Sequence, residues 1–461
     1  MVAIVRQGSG LDPFPTDGPP VNRAPEVPAG FRVGGAAAGI KASGKPDLML
    51  VATTAGPAAA AAVFTANAFA AAPVRLSQEH LAASEPAGGG RFGWATAVIS
   101  TSGCANAATG AAGLADQRQV AEFVAAALGV DAAQTLHLST GLIGTRLPLH
   151  KVAAGLPALV SGGLGSSAAH LDSAAMALRT TDSRTKVAGA NVSLAAQNGS
   201  PVEVRVSGMA KGVGMIHPRM ATMLSVVMTD ATVDPRTLHG ILRPAAARTW
   251  DQLTMDGDTS TNDTVFLLAS GAAGTAPVLP GSPAAATLGA AVEAVARDLA
   301  RQQAADGEGA TTLLTCRVTG AADDAEARAV ARAVVSSSLF KAAVHGRDPN
   351  WGRIAGAAGN ARLAEAPVLE AAGIGLDEAR VRGGQPATVD PDRLRIAIMG
   401  TVVFDGRRGG PQAFDKQLVR EAMNTTETII RLDLGIGGGR GEAFGCDLTE
   451  QYVIENSEYS T

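Results

Sequence analysis

Residues 208–230 place a glycine-rich loop directly before an apolar strand, and this arrangement constrains the fold more than any other stretch of the chain. Three glycines and Pro218 precede the strand, so its approach is a tight turn. The apolar, largely β-branched run 224–228 predicts a buried strand. Thr222 lies at the junction. The stretch therefore predicts a core strand that begins just after a hydroxyl residue.

Two interpretations of Thr222 follow from its position. Its hydroxyl can attack the carbonyl carbon of Ala221, cut the chain and leave Thr222 with a free α-amine. Such a residue carries a nucleophile together with a base, because an α-amine has a pKa of about 8. The alternative is an ordinary loop threonine that opens a strand. This stretch alone favours the ordinary threonine, and the rest of the chain has to decide between the two interpretations.

Composition narrows the classes of protein to which the chain can belong. Its 461 residues are 46% apolar and 17% charged, which is enough to bury the cores of two or three domains. The net charge of −4 argues against nucleic acids and anionic membranes as partners. The sequence lacks both a signal-like start and an apolar run of about 18 residues. We therefore expect a soluble, cytoplasmic protein with no membrane span.

The pattern of elements predicts the α/β class, because strands and helices alternate along the chain. Residues 1–27 contain many Gly, Pro, Asp and Asn residues and are expected to form a flexible N-terminal arm. A hairpin is predicted at 186–209, with its turn at Gln197-Asn198-Gly199-Ser200. Helices are predicted at 234–248, 284–305 and 323–340, and a strand at 394–404.

Several polar groups are candidates for chemistry. Ser139-Thr140-Gly141 follows a short strand, where exposed backbone N–H groups can stabilise a developing oxyanion. Glu308 lies between two glycines, so a turn presents its carboxylate. Cys104 has no nearby acid or histidine and is expected to be a packed small residue. His345 shows no partner in the sequence and is expected to be structural.

The loop at 253–264 is rich in aspartate and in hydroxyl and amide side chains. The spacing of a calcium loop is absent, and no glutamate closes it. We therefore expect side-chain-to-backbone hydrogen bonds there. The cysteines are far apart and show no Cys-x-x-Cys spacing, so no metal site is predicted. Buried thiols in a reducing compartment fit this pattern better.

Taken together, these motifs resemble the ornithine acetyltransferase (glutamate N-acetyltransferase) family of arginine biosynthesis, from about residue 28 to residue 461. The matching segments are Gly30-Phe31, Ala38-Gly39-Ile40-Lys41, Ser102-Gly103-x-Ala105-Asn106-Ala107, Ser139-Thr140-Gly141, Thr180-Thr181-Asp182, Lys211-Gly212-x-Gly214-Met215, Met220-Ala221-Thr222-Met223-Leu224, Asp258-Thr259-Ser260-x-x-Asp263-Thr264, Asp306-Gly307-Glu308-Gly309-Ala310, Asp348-Pro349-Asn350-Trp351-Gly352-Arg353 and the end from Gly445. The ending Asn456-Ser457-Glu458-Tyr459 is similar to the paralogue of the clavulanic acid cluster. Cys104 stands where the family usually has asparagine.

The resemblance implies a four-layer αββα sandwich similar to N-terminal-nucleophile hydrolases, with an additional α/β domain. It implies self-cleavage between Ala221 and Thr222 into an α chain, 28–221 after the arm, and a β chain, 222–461. Thr222 would be the nucleophile, and Thr140 and Gly141 the oxyanion hole. The residues that it implies for substrate binding are Thr181, Lys211, Thr222, Glu308, Asn456 and Thr461.

The implied reaction is a ping-pong transfer of acetyl from N2-acetylornithine to glutamate. No cofactor is expected, although acetyl-CoA remains open as a co-substrate, and the family's assembly is an α2β2 heterotetramer. Two alternatives stay open at this point. The chain can be a self-processing amidohydrolase or aminopeptidase of similar fold, or an acyltransferase with a different amino-acid acceptor. A role in specialised metabolism rather than arginine synthesis is equally compatible with these residues.

Overall fold

The structure, a computed structural model, describes residues 11, 14, 18–217 and 223–457, apart from the side chain of residue 371. The chain forms two compact units. The larger unit comprises Asp17–Ala246 and Asp258–Leu299. The smaller unit comprises Met1–Thr16, Ala247–Gly257 and Ala300–Thr461. Each unit therefore contains segments that are distant in sequence.

The larger unit is built from two sheets. Its strands are β1 (Phe31–Ala36), β2 (Leu48–Thr53), β3 (Ala58–Phe64), β4 (Phe92–Ala95), β5 (Ala97–Cys104), β6 (Thr135–Leu142), β7 (Lys186–Ala195), β8 (Pro201–Lys211), β9 (Leu224–Thr229) and β10 (Thr264–Ala269). The four-stranded sheet has the order β1-β2-β5-β6, and the six-stranded sheet has the order β4-β3-β10-β9-β8-β7. The helices are α1 (Ala72–Ser84), α2 (Gly110–Leu128), α3 (Leu149–Ala158), α4 (Ala168–Leu178), α5 (Pro235–Arg248) and α6 (Pro283–Ala304), the last two of which extend past its borders.

The two sheets share one apolar core. Val33 and Met49 of the four-stranded sheet lie in the same buried cluster as Val226 and Phe266 of the six-stranded sheet, together with α4. The opposite face of the four-stranded sheet packs against α2 and α3. Strands β9 and β10 are buried on both faces, as expected for a sheet covered by helices. The predicted α/β sandwich is confirmed.

The strand predicted after Thr222 is confirmed as β9, and the predicted hairpin as β7–β8. The hairpin turn closes with Gly199 at φ +82°, which glycine adopts without strain. Strand β9 pairs with β8 on one side, where Lys211 lies opposite Leu224. On its other side it runs parallel to β10, where Leu224 lies opposite Thr264. The strand is therefore central in its sheet.

The last residues of the predicted N-terminal arm contact the larger unit. Asn22 exchanges two backbone hydrogen bonds with Gly189, at 2.7 and 2.8 Å. Arg23 pairs with Asp298 at 2.7 Å, and Val27 is buried. These contacts do not fit a flexible arm at residues 22–27. Most of the preceding residues lie outside the described part of the chain.

The smaller unit has one six-stranded sheet with helices. Its strands are β11 (Leu313–Ala321), β12 (Arg395–Ile398), β13 (Thr401–Asp405), β14 (Gly410–Pro411), β15 (Glu427–Asp433) and β16 (Gly439–Cys446), in the order β14-β13-β12-β15-β11-β16. Its own helices are α7 (Asp324–Ser336), α8 (Ser338–His345), α9 (Trp351–Gly359), α10 (Ala366–Ala371), α11 (Leu376–Arg382), α12 (Lys416–Ala422) and α13 (Glu450–Ser457). It is the additional α/β domain that the resemblance implies.

Two predictions in the smaller unit were wrong in detail. The single helix predicted at 323–340 is two helices, because Ser337 leaves the helical conformation and its hydroxyl caps α8 by accepting the Phe340 N–H at 3.2 Å. The single strand predicted at 394–404 is the hairpin β12–β13. Its turn has Met399 at φ +50° and Gly400 at φ +88°. In both places a few residues leave the regular conformation and divide a run that looks continuous in the sequence.

Candidate active site

The predicted oxyanion residues lie where the pairing of β5 with β6 becomes irregular. Ser102 and Gly103 pair with Thr140 and Gly141, and Cys104 then pairs with two residues of β6. Gly141 has φ +128°, and a Cβ there would stand 2.3 Å from the carbonyl carbon of Gly103. A residue with a side chain does not fit at this position. The irregular pairing interrupts the regular hydrogen-bond ladder, as at a β-bulge.

Lys211 connects this irregular strand end to a second polar group. The residue ends β8 and is 3% exposed. Its ammonium group donates to the hydroxyl of Thr140 at 3.2 Å and to that of Thr180 at 2.8 Å. The structure therefore brings two predicted site residues, Thr140 and Lys211, into direct contact. Thr180 was missed, although the quoted Thr180-Thr181-Asp182 motif contains it, and the predicted Thr181 is exposed.

Asp182 balances the charge of two buried lysines. Its carboxylate lies 2.8 Å from the ammonium of Lys186 and 3.8 Å from that of Lys211. It also accepts the Gly212 N–H at 2.9 Å. Burial by itself would raise the pKa of Asp182, but the two ammonium groups outweigh burial and hold that pKa well below its usual range. Asp182 is therefore ionised at neutral pH and fixes the position of Lys211.

A further lysine contributes to the positive potential near this group. Burial, together with Lys211 and Arg179, lowers the pKa of Lys41 to about 8, against the opposing effects of Asp47 and Asp182. Its ammonium group donates to the carbonyl of Pro46 at 2.7 Å. In the sequence, Lys41 is noticeable only as part of the motif Ala38-Gly39-Ile40-Lys41. Several cations beside an irregular strand end suit the binding of a carboxylate or the stabilisation of an oxyanion.

The loop before β10 is a dense hydrogen-bonded segment, as predicted. Asn262 donates to the carbonyls of Ala105 and Ser139 at 2.7 and 2.9 Å. Asp263 accepts the Met223 N–H at 2.9 Å.

Within the described residues, no cluster of three or more His, Cys, Asp or Glu side chains could hold a metal ion.

Three predicted site residues lie outside the described residues. Ala221 and Thr222 fall in the stretch 218–222, and Thr461 falls in 458–461. On either side of the first stretch the chain is anchored. The His217 carbonyl accepts the hydroxyl of Thr259 at 3.2 Å, and the Met223 carbonyl accepts the Thr264 N–H at 3.0 Å.

In the smaller unit, the structure brings Glu308 and Asn456 together. The side-chain amide of Asn456 donates to the carboxylate of Glu308 at 2.9 Å, although 148 residues separate the two in sequence. Gly309 has φ +66°, and a Cβ there would stand 2.4 Å from the backbone nitrogen of Tyr452. Glycine beside Glu308 thus permits the close approach of α13. Both residues were predicted to bind substrate.

His345 has partners that the sequence did not reveal. Its Nδ1 lies 3.2 Å from Asp447 and its Nε2 lies 3.5 Å from Glu450. Asp447 is buried and also accepts the N–H groups of Thr311 and Thr312 at 2.8 and 3.0 Å. Because Asp447 and Glu450 each lie more than a hundred residues after His345 in the chain, no local signal in the sequence could have indicated these contacts.

Cys104 is buried, and its thiol donates to the carbonyl of Thr145 at 3.2 Å. The thiol therefore packs against the loop that follows β6, as expected for a small residue in the core. A nucleophilic role was not predicted for it, and this hydrogen bond gives no reason to add one.

The two-sheet sandwich defines the class of the fold, an α/β sandwich similar to that of N-terminal-nucleophile hydrolases. The chain belongs, more narrowly, to the ArgJ family, whose profile matches residues 32–461. It is 42% identical to the arginine biosynthesis bifunctional protein ArgJ of Thermus thermophilus, over 95% of this chain and 100% of that protein. The arginine biosynthesis acetyltransferase predicted from the sequence is confirmed at the level of the family.

Two solved structures are also similar. The ArgJ structure from Bacillus halodurans is 38% identical and covers 51% of this chain and 99% of its own, with a TM-score of 0.44. The ornithine acetyltransferase of Mycobacterium tuberculosis, solved with ornithine, is 42% identical and covers 43% of this chain and 97% of its own, with a TM-score of 0.37. Among the described residues, no helix is long and apolar enough to cross a membrane.

Proposed function

We propose that this member of the ArgJ family cuts itself between Ala221 and Thr222 and then uses Thr222 to move acetyl from N2-acetylornithine to glutamate. The observation that carries the proposal is the buried ammonium group of Lys211, held between the hydroxyls of Thr140 and Thr180. A fixed cation next to a hydroxyl at an irregular strand end suits acyl transfer, in which an oxyanion develops on the attacked carbonyl.

Self-cleavage needs no external reagent other than water. The Thr222 hydroxyl attacks the carbonyl carbon of Ala221, the bond from that carbon to the Thr222 nitrogen breaks, and the hydroxyl proton ends on that nitrogen. Water then hydrolyses the ester that links the two parts. Ala221 becomes a carboxyl terminus, and Thr222 gains a free α-amine that serves as its base.

Acetyl transfer uses the same hydroxyl twice. Thr222 attacks the acetyl carbonyl of N2-acetylornithine, the amide C–N bond breaks, and ornithine leaves with the proton. The amine of glutamate then attacks the acetyl ester and restores the hydroxyl. Thr140 and Gly141 would stabilise the oxyanion of each step, each donor contributing about 3 kcal/mol. Acetyl-CoA would donate to the same hydroxyl, which suits the description of the relatives as bifunctional.

The substrate contacts divide by charge. Lys211 would bind the α-carboxylate of the amino acid. Glu308, held by Asn456, would bind the side-chain ammonium of ornithine, since a carboxylate and an ammonium group form a charge-assisted hydrogen bond. We assign Thr181 and Thr461 to the substrate as well, on the resemblance alone. Thr180 joins them because it contacts Lys211 directly.

The two cleavage products would remain together without a covalent link. The cut falls between β8 and β9, and these strands pair along Val206–Lys211 and Leu224–Thr229 in the centre of the six-stranded sheet. Separating the chains would break that ladder and expose its apolar faces. We therefore expect an αβ pair as the building block, assembled as α2β2.

The experiment is mass spectrometry of the purified protein, first native and then denatured. Two denatured species that correspond to 1–221 and 222–461 are expected, with Thr222→Ala uncut and Thr222→Ser cut. An uncut wild-type chain would overturn the proposed self-processing. Transfer from N2-acetylornithine to glutamate is then measured beside simple hydrolysis. Hydrolysis without transfer would identify the enzyme as an amidohydrolase instead.

A further inference from the structure

The loop that precedes β10 holds two separate parts of the candidate site through adjacent side chains. Asn262, which is 3% exposed, donates to the carbonyls of Ala105 and Ser139. Ser139 directly precedes Thr140 in the chain. Asn262 thus fixes the ends of β5 and β6 at the predicted oxyanion residues.

The next residue holds the chain next to the predicted cut. Asp263 is fully buried, and its Oδ1 accepts the N–H of Met223 at 2.9 Å. That nitrogen is the one that joins Met223 to residue 222. The parallel register of β9 and β10, with Leu224 opposite Thr264, places Asp263 beside this peptide unit. The hydrogen bond between Asp263 and Met223 is therefore fixed by the pairing of the two strands that follow these residues.

The second oxygen of Asp263 is not satisfied. Its Oδ2 is buried without a hydrogen-bond partner among the described residues. Thr65 lies close by, but its hydroxyl has one hydrogen and donates it to the Ser260 carbonyl at 2.6 Å. Burial raises the pKa of Asp263 well above its usual value, against the opposing effects of the Met223 N–H, Thr65 and Lys211. The carboxyl therefore holds its proton more strongly than an exposed aspartate does, and the contact that the structure shows is the hydrogen bond that its Oδ1 accepts from Met223.

We propose that Asn262 and Asp263 are positioning residues for self-cleavage, because Asn262 holds the Thr140–Gly141 strand end and Asp263 holds Met223, the residue that follows Thr222 in the chain. Because Asn262 and Asp263 are neighbours in the chain, their shared peptide bond couples the position of the strand end to that of Met223. This inference rests on the proposed function, because it assigns the source of that function's geometry.

The test compares the rate of self-cleavage, followed by intact mass after synthesis in a cell-free system, in variants at position 263. Asp263→Ala removes the acceptor of the Met223 N–H and should slow cleavage about 100-fold, the usual effect of misplacing a reacting group by about 1 Å. Asp263→Asn keeps the shape of the side chain and an oxygen that can accept the Met223 N–H. It should restore cleavage to within about threefold of wild type.

Asp230→Ala is the matched control. Asp230 is also buried, follows the other end of β9 and accepts two backbone N–H groups, from Arg205 at 2.9 Å and Ala29 at 3.2 Å. It should lower thermal stability as Asp263→Ala does but leave the cleavage rate unchanged. Equal slowing by Asp230→Ala would reduce the effect of Asp263 to stability and overturn the proposal. The proposal would also be overturned if Asp263→Ala cleaved at the wild-type rate, or if Asp263→Asn cleaved as slowly as Asp263→Ala.

Asn262→Ala tests the positioning role independently, through the kinetics of acetyl transfer, and this test decides for or against the proposal if Asp263→Ala does not fold. Any protein that does cut should transfer acetyl with a kcat about 100-fold lower and an unchanged KM, because the oxyanion side is displaced while the substrate contacts remain. A raised KM with normal kcat would contradict a positioning role. If the wild-type chain itself stays uncut, the proposed function fails, which is a different result from failure of these variants alone.

Discussion

Asp182→Asn removes the negative charge that faces two buried lysines. The side chains of Asp182 and Lys186 are 0% exposed and lie 2.8 Å apart, and that of Lys211 is 4% exposed. Removing one partner of a buried ion pair costs about 3–5 kcal/mol, because the remaining charge is left without compensation. Asparagine can still accept the Gly212 N–H, which Asp182 accepts at 2.9 Å. We therefore expect a loss near the lower end, about 3 kcal/mol.

The measurement is the free energy of unfolding from urea titrations at pH 7, with Glu79→Gln as the control. Glu79 pairs with Arg118 at 2.7 Å, but both side chains are about half exposed, at 46% and 52%. Solvent screening limits such a pair to about 0–1 kcal/mol. If Asp182→Asn costs no more than Glu79→Gln, the argument from the buried pair is refuted.

The pH dependence adds an internal check on the same variant. The folded-state pKa of Asp182 lies below its ordinary value of 3.8. The stabilisation is therefore complete above about that pH and is lost as the pH falls through the lowered folded-state pKa. The gap between wild type and Asp182→Asn should be widest near neutral pH and narrow in acid. A gap that stays constant into acid would show that the charge of Asp182 is not its cause.

Two further predictions concern the strand end and the acid stability of the larger unit. Gly141→Ala should lower kcat about 100-fold with little change in KM, because a Cβ would stand 2.3 Å from the carbonyl carbon of Gly103 and must displace the strand end. Steady-state kinetics of acetyl transfer measure both constants, and a normal kcat would contradict the prediction. Burial, with Arg91 and Arg243, lowers the pKa of His239 from 6.5 to about 4. The neutral ring's stabilisation is thus complete above pH 6.5 and lost as the pH falls towards 4. His239→Gln should remove up to about 3 kcal/mol of that acid-induced loss of stability, and less to the extent that the ring is exposed to solvent. The urea midpoints of both proteins at pH 7 and pH 4.5 measure the loss. If wild type and variant lose the same stability between these pH values, the argument from His239 is refuted.

The local elements were predictable because their signals are local. The apolar run after Thr222 specifies β9, and the Asn198-Gly199 turn specifies the hairpin β7–β8. Helices α5 and α6 begin and end within one residue of the predicted bounds. Where a single residue interrupts a helix, as Ser337 does, the same reasoning fails, because a capping serine cannot be distinguished in the sequence from any other serine in a helical run.

The motifs along the chain, with no tertiary information, determined the family and most of the candidate residues, since each motif is a short run of neighbours. Only the tertiary structure decided which of them meet. Its hydrogen bonds join Glu308 to Asn456. They also join Thr180 to Lys211 and Asp263 to Met223. These contacts depend on the order of strands in a sheet and on the packing of α13. Such long-range pairings are selected by burial and hydrogen bonding of the whole fold, and no stretch of neighbouring residues contains them.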